Sequence, residues 1–188
     1  MRFAAFAVLA LSAVLAGCAT GPLESPQPTL ADLQAARNGG IPPLNVGEFK
    51  LAPGKPQSMD RVIVARAGTA SPPEGKSFAK YLGSTLEATL KAAGKLDPNS
   101  PVTVQGLLGQ SELNTNMPHG HAALGATFIA VKNGQEVYHK DLSVDSSFDS
   151  AFIGAIAIPA AFNEYAALYA RLVDKLLGDP DFQAAVTR

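Results

Sequence analysis

The hydrophobic positions of this chain fall into runs of different period. Phe3 to Leu15 is an apolar stretch with no charged residue. It is too short to span a bilayer, which takes about 20 apolar residues. Arg61-Val62-Ile63-Val64-Ala65-Arg66 is a β-branched run and predicts a strand. Behind Ser77, a predicted N-cap, Phe78, Leu82, Leu86, Thr89, Leu90 and Ala93 recur at helical spacing, and Gly94 closes that helix. Val102 to Leu108, continuing toward Leu113, predicts a second strand, Ala123 to Lys132 a third and Gln135 to Val144 a fourth. Asn133-Gly134, between the last two, is a strong hairpin signal. A two-residue turn places Lys132 opposite Gln135, Ile129 opposite Tyr138 and Phe128 opposite His139. One face then carries Ile129, Val131, Tyr138 and Leu142, and the other Phe128, Ala130, Val137 and His139. Both are partly apolar, unlike a sheet with one side in water.

The most apolar part of the downstream chain is Ala151 to Phe162, which has no charged residue. Pro159 is expected to kink or interrupt a helix there. Phe162, Tyr165, Ala166, Tyr169, Leu172, Val173 and Leu176 then form an amphipathic stripe closed by Gly178, and a short final helix starts at Pro180. The predicted fold is α+β. A single four-stranded, mostly antiparallel sheet in β-α-β-β-β-α order has two helices packed on one face. A right-handed crossover makes the first two strands parallel.

Between the leader and these elements, residues 19–56 are rich in Pro, Gly and Ala, including Gly21-Pro22, Gly39-Gly40 and Pro42-Pro43. The expected division is a signal peptide over 1–17, a Pro/Gly-rich tether over 18–56 and a globular domain over 57–188. Within the tether, a short helix over Thr29–Arg37 and an extended piece over Val46–Leu51 are expected. Thr69 to Gly75 and Asn114 to Gly120 read as loops.

Composition narrows the function. Net charge is −1 and charged residues make up 16% of the chain, so no basic field argues for nucleic acid. The single cysteine excludes an internal disulfide and any cysteine-rich metal site.

That cysteine stands in Leu15-Ala16-Gly17-Cys18, which resembles the lipobox of bacterial lipoproteins. The resemblance implies cleavage before Cys18, a diacylglycerol on its thiol and an acyl group on the new amine. More than one acyl chain is what stable anchoring needs. Ala19, where inner-membrane lipoproteins of this kind often carry aspartate, implies the outer membrane, with the domain facing the periplasm. Lipobox, tether and strand–helix–strands–helix order together resemble the YajG-like proteins, the lipopolysaccharide-assembly lipoprotein and the auxiliary lipoproteins of lipid-transport ABC systems. This implies a non-catalytic interaction, assembly or transport-auxiliary module without a cofactor, working with an envelope protein partner or lipid. A carrier of lipid or a small hydrophobic ligand, with a cavity between the sheet and residues 151–169, is the alternative.

Other chemistry has thin support. His119-Gly120-His121, with His139 or Glu112, is a weak metal candidate without helical His-x-x-x-His spacing. Ser77, Ser84, Ser111, Ser143 and Ser150 lie in no Gly-x-Ser-x-Gly elbow. Gly106-Leu107-Leu108-Gly109 sits in a strand pattern with no following helix to hold phosphate, so a bulge or close backbone approach explains these glycines. In the uncharged stretch, Phe152, Ile153, Ile156, Ile158 and Phe162 are the candidates for a surface that meets a partner, a lipid or the bilayer.

Overall fold

The computed structural model describes residues 20–38, 40–73 and 77–188. The elements run in the order β1 (Thr20–Pro22), α1 (Leu30–Asn38), β2 (Asn45–Leu51), a 3-10 turn (Gln57–Asp60), β3 (Ile63–Ala65), β4 (Gly68–Ser71), α2 (Phe78–Ala93), β5 (Val102–Asn114), β6 (His119–Lys132), β7 (Gln135–Asp149), α3 (Gly154–Leu177) and α4 (Pro180–Thr187). The class is α+β, as expected, but there are two mixed sheets. One has four strands in the order β2-β5-β6-β7 and the other three in the order β1-β4-β3.

The predicted β-α-β-β-β order survives with a different first strand. The parallel neighbour of β5 is β2, with Val46 opposite Val104 and Leu51 opposite Leu108. The β-branched run 61–66 contributes only β3, which turns back on β4 in the small sheet. Residues expected as tether therefore supply β1, α1 and β2. The expected loop at Thr69 falls in β4.

Local signals explain the helix ends. Ser77 accepts from the Lys80 N–H at 3.0 Å, and Gly94 takes the left-handed conformation at φ 72°. A second acceptor comes from the 3-10 turn, where buried Asp60 takes the Ala79 N–H at 2.8 Å. Asn133 and Gly134 have φ 52° and 82°, as a type I′ hairpin requires.

The register of that hairpin departs from the simple count. Lys132 faces Gln135 and Val131 faces Glu136, but Ala130 then faces Tyr138. Val137 is left over as a bulge, which changes the face of every later residue on β7. Tyr138 and Leu142 consequently share a face with Ala130 and Phe128 and are buried. His139, Asp141, Ser143, Asp145, Ser147 and Asp149 all point to water. The expected assignment of β7 residues to faces is corrected: one face of the sheet is core, and the other still carries Leu107, Ile129 and Val131 half-buried and Ala123 buried.

The core lies between the inner face of the large sheet and the helices. Val104, Leu108, Leu124 and Phe128 meet Leu82, Leu86 and Leu90 of α2 and Leu168, Leu172 and Leu176 of α3. Phe182 and Val186 of α4 close one end, and α1 lies across α2 and α3. More than two helices thus cover the sheet. A second bulge at Gly109 turns β5 so that Ser111 faces inward, where its hydroxyl lies 2.7 Å from that of Tyr165. Gly106 serves the close approach: an added Cβ would stand 2.4 Å from Cε1 of Phe49.

Pro159 does not divide α3. It is the sixth residue of the helix, so it costs only the bond that its own amide would have made to the Ala155 carbonyl, and the helix continues through it. The Ile156 and Ala157 amides bond back to the Ile153 carbonyl at 3.1 and 3.0 Å.

Candidate functional site

The site that draws attention is where α3 begins. β7 ends at Asp149, and Ser150 to Ile153 carries the chain across to α3. One cation fixes this crossing. Arg66 lies at the β3–β4 turn with φ 53°. It donates to the carbonyls of Phe152 (3.1 Å), Ala151 (2.8 Å) and Thr115 (3.4 Å), and to the Ser150 hydroxyl (2.9 Å). The Ser150 amide donates to the Pro118 carbonyl at 2.8 Å and its hydroxyl to Thr115 at 3.1 Å. Three segments distant in sequence are thereby bound into one end of the molecule.

The apolar residues singled out from the sequence divide here. Phe152 (83% exposed), Ile153 (59%) and Ile156 (60%) stand in water where the chain enters α3. Ile158 is buried beside Ala65 and Ala161, and Phe162 is partly buried against the same cluster. Ile158 is corrected from surface to core and Phe162 to a half-buried position that also lines the groove described below, because a helix that lays one face on the small sheet turns both toward it. Sequence reading missed Arg66, Val64 (52% exposed) and Met117 (52% exposed), which share the end formed by the Arg66 contacts. The run 61–66 gives Val64 a strand but no face, and a left-handed Arg66 leaves no pattern in sequence.

A shallow groove runs along the other side of α3. One part, about 410 Å³, lies between Pro22, Leu23 and Ala70 and the helix residues Pro159, Phe162 and Ala166. It continues into a space of about 480 Å³ bounded by Glu24, Pro26, Tyr81, Ala166, Tyr169 and Ala170. The cavity expected between sheet and helix is instead filled by Tyr165, Leu168, Tyr169, Leu172 and Val173, each at most 1% exposed. The Tyr165 and Tyr169 hydroxyls lie 2.8 Å apart, and the Tyr81 hydroxyl donates to the Glu24 carbonyl at 3.0 Å.

The histidines are dispersed on the open face of the sheet. His119 Nδ1 is 3.2 Å from Asp149 Oδ1 and His139 Nδ1 is 3.1 Å from Glu136 Oε1. His121 faces Ser147 across the strands, which puts His139 roughly 27 Å away along β7 at the rise of an antiparallel strand. Glu112 accepts from Gln110 at 3.2 Å. Among the described residues no three His, Cys, Asp or Glu side chains are grouped as metal ligands would be. No helix among them is long and apolar enough to cross a membrane. Cys18 and the predicted signal peptide lie outside the described residues.

The fold has a solved counterpart. A Xanthomonas campestris protein of the DUF330 family superposes with a TM-score of 0.58 at 12% identity, covering 87% of this chain and 95% of its own. A candidate lipoprotein of Caulobacter crescentus CB15 gives a TM-score of 0.44 at 14% identity, over 82% of this chain and 97% of its own. A minor lipoprotein of Acinetobacter baumannii gives 0.37 at 14% identity, over 77% and 93%. At 12% identity the first likeness is one of fold. No family model matches the chain, and no curated protein matches its sequence.

Proposed function

We propose that this protein is a lipoprotein of the bacterial outer membrane, acylated on Cys18 and facing the periplasm. It acts there without catalysis, as an interaction, assembly or transport-auxiliary module. One observation carries the reading: the chain's only cysteine follows an apolar stretch without charge, Phe3 to Leu15, at Leu15-Ala16-Gly17-Cys18, and the first described strand begins two residues later at Thr20. Several buried polar groups support the non-catalytic part, because they are engaged in structural bonds. Asp60 and Asp179 cap helices, and Tyr165, Tyr169 and Ser111 bond one another. The architectural resemblance to YajG-like, lipopolysaccharide-assembly and ABC-auxiliary lipoproteins belongs to the same proposal.

The test is acylation and fractionation. The native chain is expected to carry acyl groups by mass and to pellet with outer membranes. Cys18→Ser is expected to lose both the acyl mass and the pelleting. A Cys18→Ser protein that is still processed and still membrane-bound would overturn the reading. Detergent extraction of the acylated protein with a stoichiometric partner then separates the module from a carrier.

The carrier reading has its own observation, the groove along α3 lined by Pro22, Tyr81, Phe162, Ala166 and Tyr169. Native mass spectrometry of the purified protein decides it. Copurified lipid supports the carrier, and a bare polypeptide mass counts against it.

A further inference from the structure

We infer that Phe152, Ile153 and Ile156 form a membrane-docking tip, seated in the same leaflet that receives the acyl chains of Cys18. The inference rests on the acylated-Cys18 reading and adds an orientation to it.

The path of the N-terminal strand supplies the first argument. Gly21 and Pro22 face Pro159 and Phe162 across the groove, while Glu24 to Thr29 face the later stretch Ala166 to Asp174. Followed backward, the strand therefore travels along α3 toward the first turn of that helix. Cys18 is two residues before Thr20, a reach of roughly 7 Å at full extension. Along α3, Ile156 stands about 4–5 Å before Pro159 at 1.5 Å per residue. Acyl chains on Cys18 thus enter the bilayer beside the tip.

The small sheet supplies the second. Thr20 pairs with Thr69, and Thr69 with Val64. Two strand spacings, roughly 10 Å, separate the start of β1 from the exposed Val64. Arg66, two residues on, binds the Phe152 carbonyl. Anchor, Val64 and tip occupy one end of the molecule.

Chemistry selects the occupant. Residues 151–162 carry no charge. Among the described residues there, the cation Arg66 is turned onto carbonyl and hydroxyl oxygens. Such a tip suits insertion into the acyl boundary and has no means of holding anionic headgroups by charge. A second copy of the chain is the poorer occupant. A stable interface buries about 800 Å² per partner, and three side chains at one helix entry offer a fraction of that.

The chain contains no tryptophan, so one introduced indole reports without background. Full-length acylated protein carrying Phe152→Trp is reconstituted into phosphatidylcholine vesicles. Val137→Trp is the control, twelve residues up β7 from Asp149 and roughly 40 Å from that end. Acylation of both is read by mass. The expected result is emission from residue 152 shifted to shorter wavelength and quenched by brominated acyl chains. It should persist in high salt and disappear when Ile153→Glu and Ile156→Glu are added with the circular dichroism unchanged. Residue 137 should stay in water. Acylated protein whose residue 152 is unquenched overturns the docking tip and leaves the lipoprotein reading standing. A shift without quenching means protein covers the tip, and also overturns it. A chain with no acyl mass overturns the lipoprotein reading itself, and the tip with it.

Discussion

The Lys140 ammonium lies 2.7 Å from Oδ2 of Asp179, the residue whose Oδ1 caps α4 through the Asp181 and Phe182 amides at 2.8 and 3.2 Å. Strand β7 and the last helix are joined through one buried carboxylate. Burial pushes that carboxyl up, but Lys140 and the two amides outweigh burial and hold it below the ordinary range. Lys140 is raised in turn by Asp179 and Asp181. A depressed carboxyl contributes stability above its unfolded value of about 3.9, lost as pH falls through the folded value. The raised lysine contributes fully below about 10.4 and loses its share as pH rises through its folded value. Asp179→Ala should cost about 1–2 kcal/mol through the lost cap, and Asp179→Asn less, since the amide oxygen still accepts. Urea unfolding at neutral pH checks the order. The gap between wild type and Asp179→Asn should narrow below pH 4.

Phe49 is held between two glycines. A Cβ at Gly83 of α2 would meet its ring at 2.9 Å, and one at Gly106 of β5 at 2.4 Å. Gly106→Ala should therefore destabilise by about 1–3 kcal/mol through overpacking. Phe49→Ala should cost about 3–5 kcal/mol through the cavity it leaves. In the double variant the two should be less than additive, because the space the methyl needs is then empty. Additive values in chemical denaturation would show that the ring is not the obstacle.

All four tyrosines of the chain are raised by burial. Tyr165 and Tyr138 are pushed up to about 12 and Tyr169 well above 10; next to burial, Glu24 adds to Tyr81, Asp179 to Tyr138 and Tyr165 to Tyr169. A raised phenol contributes stability in full below its unfolded value of about 10, lost as pH rises through the folded value. Alkaline titration should show tyrosinate absorbance appearing together with loss of circular dichroism. Tyrosinate formed ahead of unfolding would contradict the packed Tyr81–Tyr165–Tyr169 cluster.

Arg66→Ala should loosen the end of the molecule without unfolding it. The carbonyls of Thr115, Ala151 and Phe152 would pass to water, and hydrogen exchange should rise over 115–118 and 150–157 while α2 and β5 keep their protection. Arg66→Lys should recover only part, since an ammonium cannot fork across several acceptors.

Where sequence reading and structure agree, the signals were local. Ser77, Gly94 and Asn133-Gly134 act through their own backbone geometry, and the stripes of α2 and α3 through period. Disagreement begins where one residue changes a count. The bulge at Val137 reverses the faces of β7, and no feature of Gln-Glu-Val-Tyr announces it. Short strands were equally hidden. β1 contains Gly21-Pro22 and β4 is Gly-Thr-Ala-Ser, so both look like linker until paired. The helical period marks the core face of α3 from Phe162 onward, but Ile158 turns inward because the small sheet, unseen in sequence, gives it something to cover.

Those short strands have a mechanical meaning. β1 is held by three residue pairs with β4 and by the Leu23 amide on Ser71 at 2.8 Å, whereas β2 is built into the large sheet. A pull from the N-terminal side would load the three-residue strand first and strip it, then α1, before the large sheet felt any force. The chain released up to residue 44 would be a flexible line with an r.m.s. length of roughly 25–30 Å. The slack is stored in folded form and paid out only under tension.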